Sequence, residues 1–150
     1  MLFYTIPYLF FFLPIALLLF FYGKYLKIDR KIILILLSIF FYSWWNIYYL
    51  PVILFSILIN YYFYKKLVTI KESRKKIFWI AVTSNILILL IFKYADFIIQ
   101  NFNLLFSTDI DYLNLPFPLA ISFYTFQTIA FLVNVYDEDI LNVKFKEFFL

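Results

Sequence analysis

Six polar side chains interrupt the apolar run 118–136, "PLAISFYTFQTIAFLVNVY": Ser122, Tyr124, Thr125, Gln127, Thr128 and Asn134. At about 100° per residue, Tyr124, Gln127, Thr128 and Asn134 fall within one arc of about 120°, joined by Ala120 and Phe131. Ser122 and Thr125 point elsewhere, among Phe123, Phe126, Ile129 and Leu132. A polar stripe on a spanning helix must face protein or water, because lipid cannot satisfy its donors and acceptors. It can line a passage for a polar substrate, or it can hydrogen-bond neighbouring helices, which is the commoner use of such side chains. It does not make a catalytic centre.

Other chemistry is sparse. The chain has no His and no Cys, so the commonest general base, the commonest metal ligand and any thiolate are absent. Lys93 and Asp96 stand three apart near a span end, where they can pair on one helix face or anchor at the interface. Asp137, Glu138 and Asp139 are three consecutive carboxylates, which define no coordination geometry and read as a solvated loop. Asn46 and Asn60 sit beside aromatic residues and read as polar packing. No Gly-rich phosphate loop, Ser-His-Asp set or zinc-ligand spacing occurs.

The elements that position these residues follow from composition. Of 150 residues, 66% are hydrophobic and 15% charged, with a mean hydropathy of +0.92. So few charges cannot clothe a water-facing surface, and the composition is that of an integral membrane protein. One Gly and five Pro leave no flexible linker, so residues 1–150 read as one membrane domain or part of one. The net charge of +4 is not a nucleic-acid footprint. Most of the cations lie in two short stretches, Lys24, Lys27, Arg30 and Lys31, then Lys65, Lys66, Lys71, Arg74, Lys75 and Lys76. Short cytoplasmic loops gather Lys and Arg in this way.

Residues 2–23 are uncharged, lack the basic start and small-residue site of a cleavable leader, and read as a retained span. The uncharged run 32–64 is too long for one crossing and short for two. A turn near Trp44-Trp45-Asn46 keeps both basic stretches on the cytoplasmic side, so two short or tilted passes are expected. Residues 77–99 then return outward, 100–114 form an external loop with two Asp, and about 115–136 come back inward. The expectation is all-α: about five transmembrane helices, N-terminus outside, C-terminus cytoplasmic, in a bacterial inner membrane.

Three segments resemble the membrane-bound O-acyltransferase family, in the branch that O-acetylates exopolysaccharides such as alginate. "LPFPLAISFYTFQTIAFLVNVY" is similar to that branch's LPLGISFYTFQ…LIDVYRG signature, "FFYSWWNIYYL" to FYGWWNP, and "IFKYADFIIQNFN" to FFKYLNFFLDNLN. They occur in the family's order and spacing. Three departures stand out: Ala120 replaces Gly, Asn134 replaces Asp, and Asp137-Glu138 replaces Arg-Gly. The first suggests altered helix packing; the others put the family's charge pairing at that span end in question.

The resemblance implies a larger ring of helices around a passage, where an acyl donor from the cytoplasmic side meets a polar acceptor on the far side. A histidine, beyond the region this chain resembles, acts as base in that family. The expectation is therefore an N-terminal portion of such an enzyme, truncated and inactive alone, with no bound cofactor and no catalytic residue of its own. Its acyl donor stays open. Its partners are the lipid bilayer, the remaining helices and polysaccharide-modification proteins, and not nucleic acid. Tyr124, Gln127, Thr128 and Asn134 are its passage-lining or helix-packing candidates. The other reading is a small non-catalytic membrane scaffold or transporter subunit, which short paired passes and a polar stripe also suit.

Overall fold

A computed structural model describes residues 5–23, 25, 28–115, 120–138, 140 and 142–150, and of Trp45 the backbone alone. Lys24, Lys27, Asp139 and residues 116–119 of the apolar run lie outside the described residues. The described residues form helices and no strand. A π-helical turn, Tyr8–Phe12, leads into α1, Leu13–Tyr22. Pro14 accounts for the wide turn: it has no N–H to donate four residues back, and its ring crowds that carbonyl.

Then follow α2, Arg30–Asn46, a 3-10 turn, Ile47–Tyr49, and α3, Leu50–Thr69. After it come α4, Arg74–Phe106, α5, Ile121–Tyr136, and the short α6, Phe145–Phe149. The turn expected near Trp44-Trp45-Asn46 falls at Asn46, whose backbone is extended and whose side-chain oxygen accepts from the Tyr48 N–H at 3.0 Å. Pro51 sits in the first turn of α3, where its missing N–H costs nothing.

Two helical stretches are long and apolar enough to cross a membrane, Ile47–Thr69 and Arg74–Phe106. Tyr8–Tyr22 and Ile121–Tyr136 are apolar but shorter. Most of both long stretches is unburied, unlike the core helix of a water-soluble domain. Bare Phe55, Leu58, Trp79, Leu87 and Phe97 continue that apolar surface, which suits a hydrocarbon solvent. The expected external loop 100–114 is corrected by α4, which runs on to Phe106 because nothing before Ser107 breaks it. Ser107 ends it in the left-handed conformation at φ 53°.

The chain divides into two compact units, 1–61 with 142–150, and 62–141. In the first, Phe12 stacks on Phe40 with centroids 6.2 Å apart, and Tyr8 and Phe12 both meet the Phe41 ring. Residues of α2 and α3 share the wall of a cavity of about 400 Å³ with Tyr8, Phe12 and Phe149, so the chain doubles back at Asn46. Asp29 caps α2 by accepting from the Lys31 N–H, and it also pairs with Lys146, while Lys31 pairs with Glu147. These bonds hold both carboxyls below their ordinary values: Asp29 chiefly through Lys146, Glu147 chiefly through Lys31.

In the second unit α4 packs on α5. Ala81, Val82, Asn85 and Leu89 are buried on α4, and Ile121, Thr125, Leu132 and Val135 on α5. The α5 set recurs at three- and four-residue steps, one continuous face of a helix. Phe78 and Tyr136 close one end with centroids 4.6 Å apart, and Phe131 meets Tyr64 at 5.6 Å.

The family-signature departures at 120 and 138 have a backbone meaning. Ala120 has φ 59° and Glu138 φ 69°, both in the left-handed region, and both stand where the signature carries Gly. A residue with a Cβ costs roughly 1–2 kcal/mol there. Position 120 therefore asks for conformational freedom, where the sequence suggested altered helix packing. Ala120→Gly is expected to raise the stability of this unit by about 1 kcal/mol, read as a higher denaturation midpoint in detergent.

Candidate functional site

The polar residues of the last long apolar run divide between two faces of α5. Thr125, 1% exposed, lies on the face buried among Ile121, Leu132 and Val135. Tyr124 and Thr128 are half-buried beside that face, and the Tyr124 hydroxyl is enclosed. Gln127 and Asn134 are exposed, and Phe131 between them is half-buried. The stripe read from the helical wheel thus runs along the flank of the α4–α5 contact, with its two amides outermost. These amides offer donors and acceptors suited to hydroxyl groups. None of the four is a carboxylate, imidazole, amine or thiol.

Two polar residues at this packing do not stand out in the sequence. The helical wheel sets Thr125 among apolar neighbours, and it is buried with them. Asn85 of α4, 2% exposed, donates from Nδ2 to the Ala81 carbonyl at 2.8 Å. One signal could have found it: an amide in the middle of an uncharged run must find partners inside the protein. In the first unit Asn60 is its counterpart, 1% exposed and donating to the Ser56 carbonyl at 2.8 Å. That agrees with its reading as polar packing.

The charged candidates take structural work. Asp96 does not pair with Lys93 among the described residues. Its carboxylate accepts from the backbone N–H of Leu113 at 2.7 Å and of Asn114 at 3.1 Å, tying the segment after α4 back onto that helix. Lys93 lies 5.3 Å from the Tyr94 ring centroid instead. Backbone amides beat the lysine because they are fixed in place, whereas a long flexible side chain loses rotamer freedom to pair.

Arg74, in the first turn of α4, reaches the end of α5: it donates to the Val135 carbonyl at 2.8 Å and pairs with Glu138. Its guanidinium also lies 5.7 Å from the Tyr136 ring centroid. A cation at a helix N-terminus opposes that helix's dipole, but here it serves the C-terminus of α5, where positive charge is favoured. At this span end the charge pair is Arg74 with Glu138. No group of three or more His, Cys, Asp or Glu side chains that could hold a metal is gathered among the described residues.

The class defined so far is an all-helical protein with an apolar exterior, two span-length helices and a polar flank on α5. Over 69 residues the chain is 41% identical to the peptidoglycan O-acetyltransferase of Helicobacter pylori. The aligned part is 45% of this chain and 13% of that protein, so the chain spans a small part of its relative's length. No protein-family model matches the sequence, and no solved structure matches it. The likeness is to an O-acetyltransferase.

Proposed function

We propose that this chain forms the N-terminal helices of a membrane-bound O-acyltransferase that moves an acetyl group onto hydroxyls of a cell-envelope polysaccharide. The observation that carries the proposal is the 41% identity over 69 residues to a peptidoglycan O-acetyltransferase. That relative's name favours a wall glycan as acceptor over an alginate-type exopolysaccharide. The chain resides in the bacterial inner membrane, crossing about five times with its N-terminus outside. The lipid bilayer, the remaining helices of the enzyme and polysaccharide-modification proteins are its partners. Gln127 and Asn134, with Tyr124 and Thr128 beside them, face the passage or a neighbouring helix of the complete enzyme. The group that deprotonates the acceptor hydroxyl belongs to those remaining helices, since this chain has no histidine.

A chimera tests the proposal. The aligned 69-residue segment of the Helicobacter pylori protein is replaced by this one, and base-released acetate is measured on purified cell wall. The chimera should keep acetylation close to the parental level. Loss of acetate from a chimera present in the membrane at normal abundance would rule out a shared role. Purified 150-residue chain, given acyl donor and wall polysaccharide, should show no turnover above a mock membrane control. Turnover there would contradict the view that it is catalytically incomplete.

A further inference from the structure

We propose that the groove between α1 and α2 binds one acyl chain of an anionic glycerophospholipid whose headgroup is held by Arg30. The inference rests on the membrane reading proposed above and adds to it a specific lipid site. The groove measures about 680 Å³ and lies wholly within the first unit. Phe11, Ile15 and Leu19 line one side, and Ile33, Leu36 and Phe40 the other. From Ile33 to Trp44 it follows twelve residues of α2, about 16 Å of helix.

Its shape comes from one close approach. Gly23, the chain's single glycine, leaves a gap filled by the Ile33 side chain, whose Cδ1 would collide with a Cβ there. The Gly23 backbone is ordinary helix at φ −54°, so space is the reason for glycine here. Beyond that point Phe11, Ile15 and Leu36 stay largely bare, at 64%, 54% and 61% exposure. Stacked Phe12 and Phe40 join the two helices further along.

Charge is concentrated at one end of this apolar groove. Lys31 is matched by Glu147 and Lys146 by Asp29, so those cations are neutralised within the protein. Arg30 has no carboxylate partner among the described residues. Its guanidinium lies 5.4 Å from the centroid of Phe20, next to groove-lining Leu19. An occupant complementary to this site is apolar along most of its length and anionic at one end. In a bilayer that describes an anionic lipid, and a planar guanidinium suits its phosphate.

The test uses tryptophan quenching in vesicles. The full chain carries Trp44→Phe, Trp45→Phe and Trp79→Phe, with Leu36→Trp as the reporter in the groove. A sister protein keeps Trp79 alone as a reporter of membrane insertion on α4. Brominated phosphatidylglycerol or brominated phosphatidylcholine is present as a minor component of otherwise identical vesicles. At the groove, the anionic lipid should associate about fivefold more strongly than the zwitterionic one. Arg30→Gln should bring that ratio to near unity, and Arg30→Lys should keep most of it. Trp79 should be quenched by both lipids alike.

Equal quenching by the two lipids at the groove, or a preference that survives Arg30→Gln, would overturn the inference. Quenching of Trp79 but not of the groove reporter would show that protein, either another helix or a second copy of the chain, fills the groove. That outcome too rejects the lipid and leaves the membrane reading intact. Absence of quenching at both reporters would remove the membrane reading and the lipid site together.

Discussion

Leu132→Ala is expected to destabilise the α4–α5 pair by about 2–5 kcal/mol, toward the lower end of that range. Leu132 is fully buried on the face of α5 that also carries Ile121, Thr125 and Val135. Between helices in lipid there is little hydrophobic driving force, because the surrounding tails are as apolar as leucine. The transfer part of the usual cost therefore shrinks, while the dispersion attraction forfeited around the new cavity is undiminished. Unfolding in mixed detergent, followed by circular dichroism or Trp79 emission, measures the change. Val133→Ala, at an exposed neighbouring position, should shift the midpoint by no more than about 0.5 kcal/mol. Equal effects at the two positions would mean that α5 packs through a different face.

Arg74→Met is expected to cost about 1.5–3 kcal/mol, the range for a hydrogen bond to a charged group. The guanidinium serves the Val135 carbonyl and Glu138 at once. Arg74 Nε is enclosed without an acceptor among the described residues, which holds the loss toward the lower end. Arg74→Lys should recover only part of it, because one ammonium cannot reproduce the planar fork. The same contact has a pH signature. Glu138 is held below its ordinary value of 4.5, first by the hydrogen bond from Arg74 and then by its charge. A carboxyl depressed in the folded state adds stability above its unfolded pKa, and that contribution is lost as pH falls through the folded value. The stability gap between the parent chain and Glu138→Gln should therefore be present at neutral pH and shrink as the pH falls below 4.5, through the lowered value of the folded state. A gap independent of pH would show that the carboxylate contributes nothing through its charge.

Much of the architecture is legible without coordinates. The run 32–64 has to break, because one helix of that length overshoots a bilayer, and Asn46 beside two tryptophans is the polar residue able to cap a new turn. The end of α4 is less legible. Residues 100–106 contain Gln and Asn, and their polarity suggests a loop, yet no Pro or Gly stops the helix before Ser107. Polarity reports the solvent around a segment and says little about whether its backbone hydrogen bonds are broken.

The candidate site shows the same division. Periodicity alone groups Tyr124, Gln127, Thr128 and Asn134, because residues three and four apart share a helix face whatever surrounds them. Which face packs is decided by the partner helix: α4 takes the side bearing Thr125 and Leu132, leaving Gln127 and Asn134 outward. Lys93 and Asp96 could pair by spacing, but the amides of Leu113 and Asn114 come from seventeen and eighteen residues away in the chain. The sequence by itself determined composition, helical periodicity and the absence of a histidine, since these are local properties. Tertiary structure alone decided the Arg74 link to the end of α5, the left-handed turns at Ala120 and Glu138, and the apolar groove between α1 and α2. Each of those depends on where a second segment of chain comes to lie.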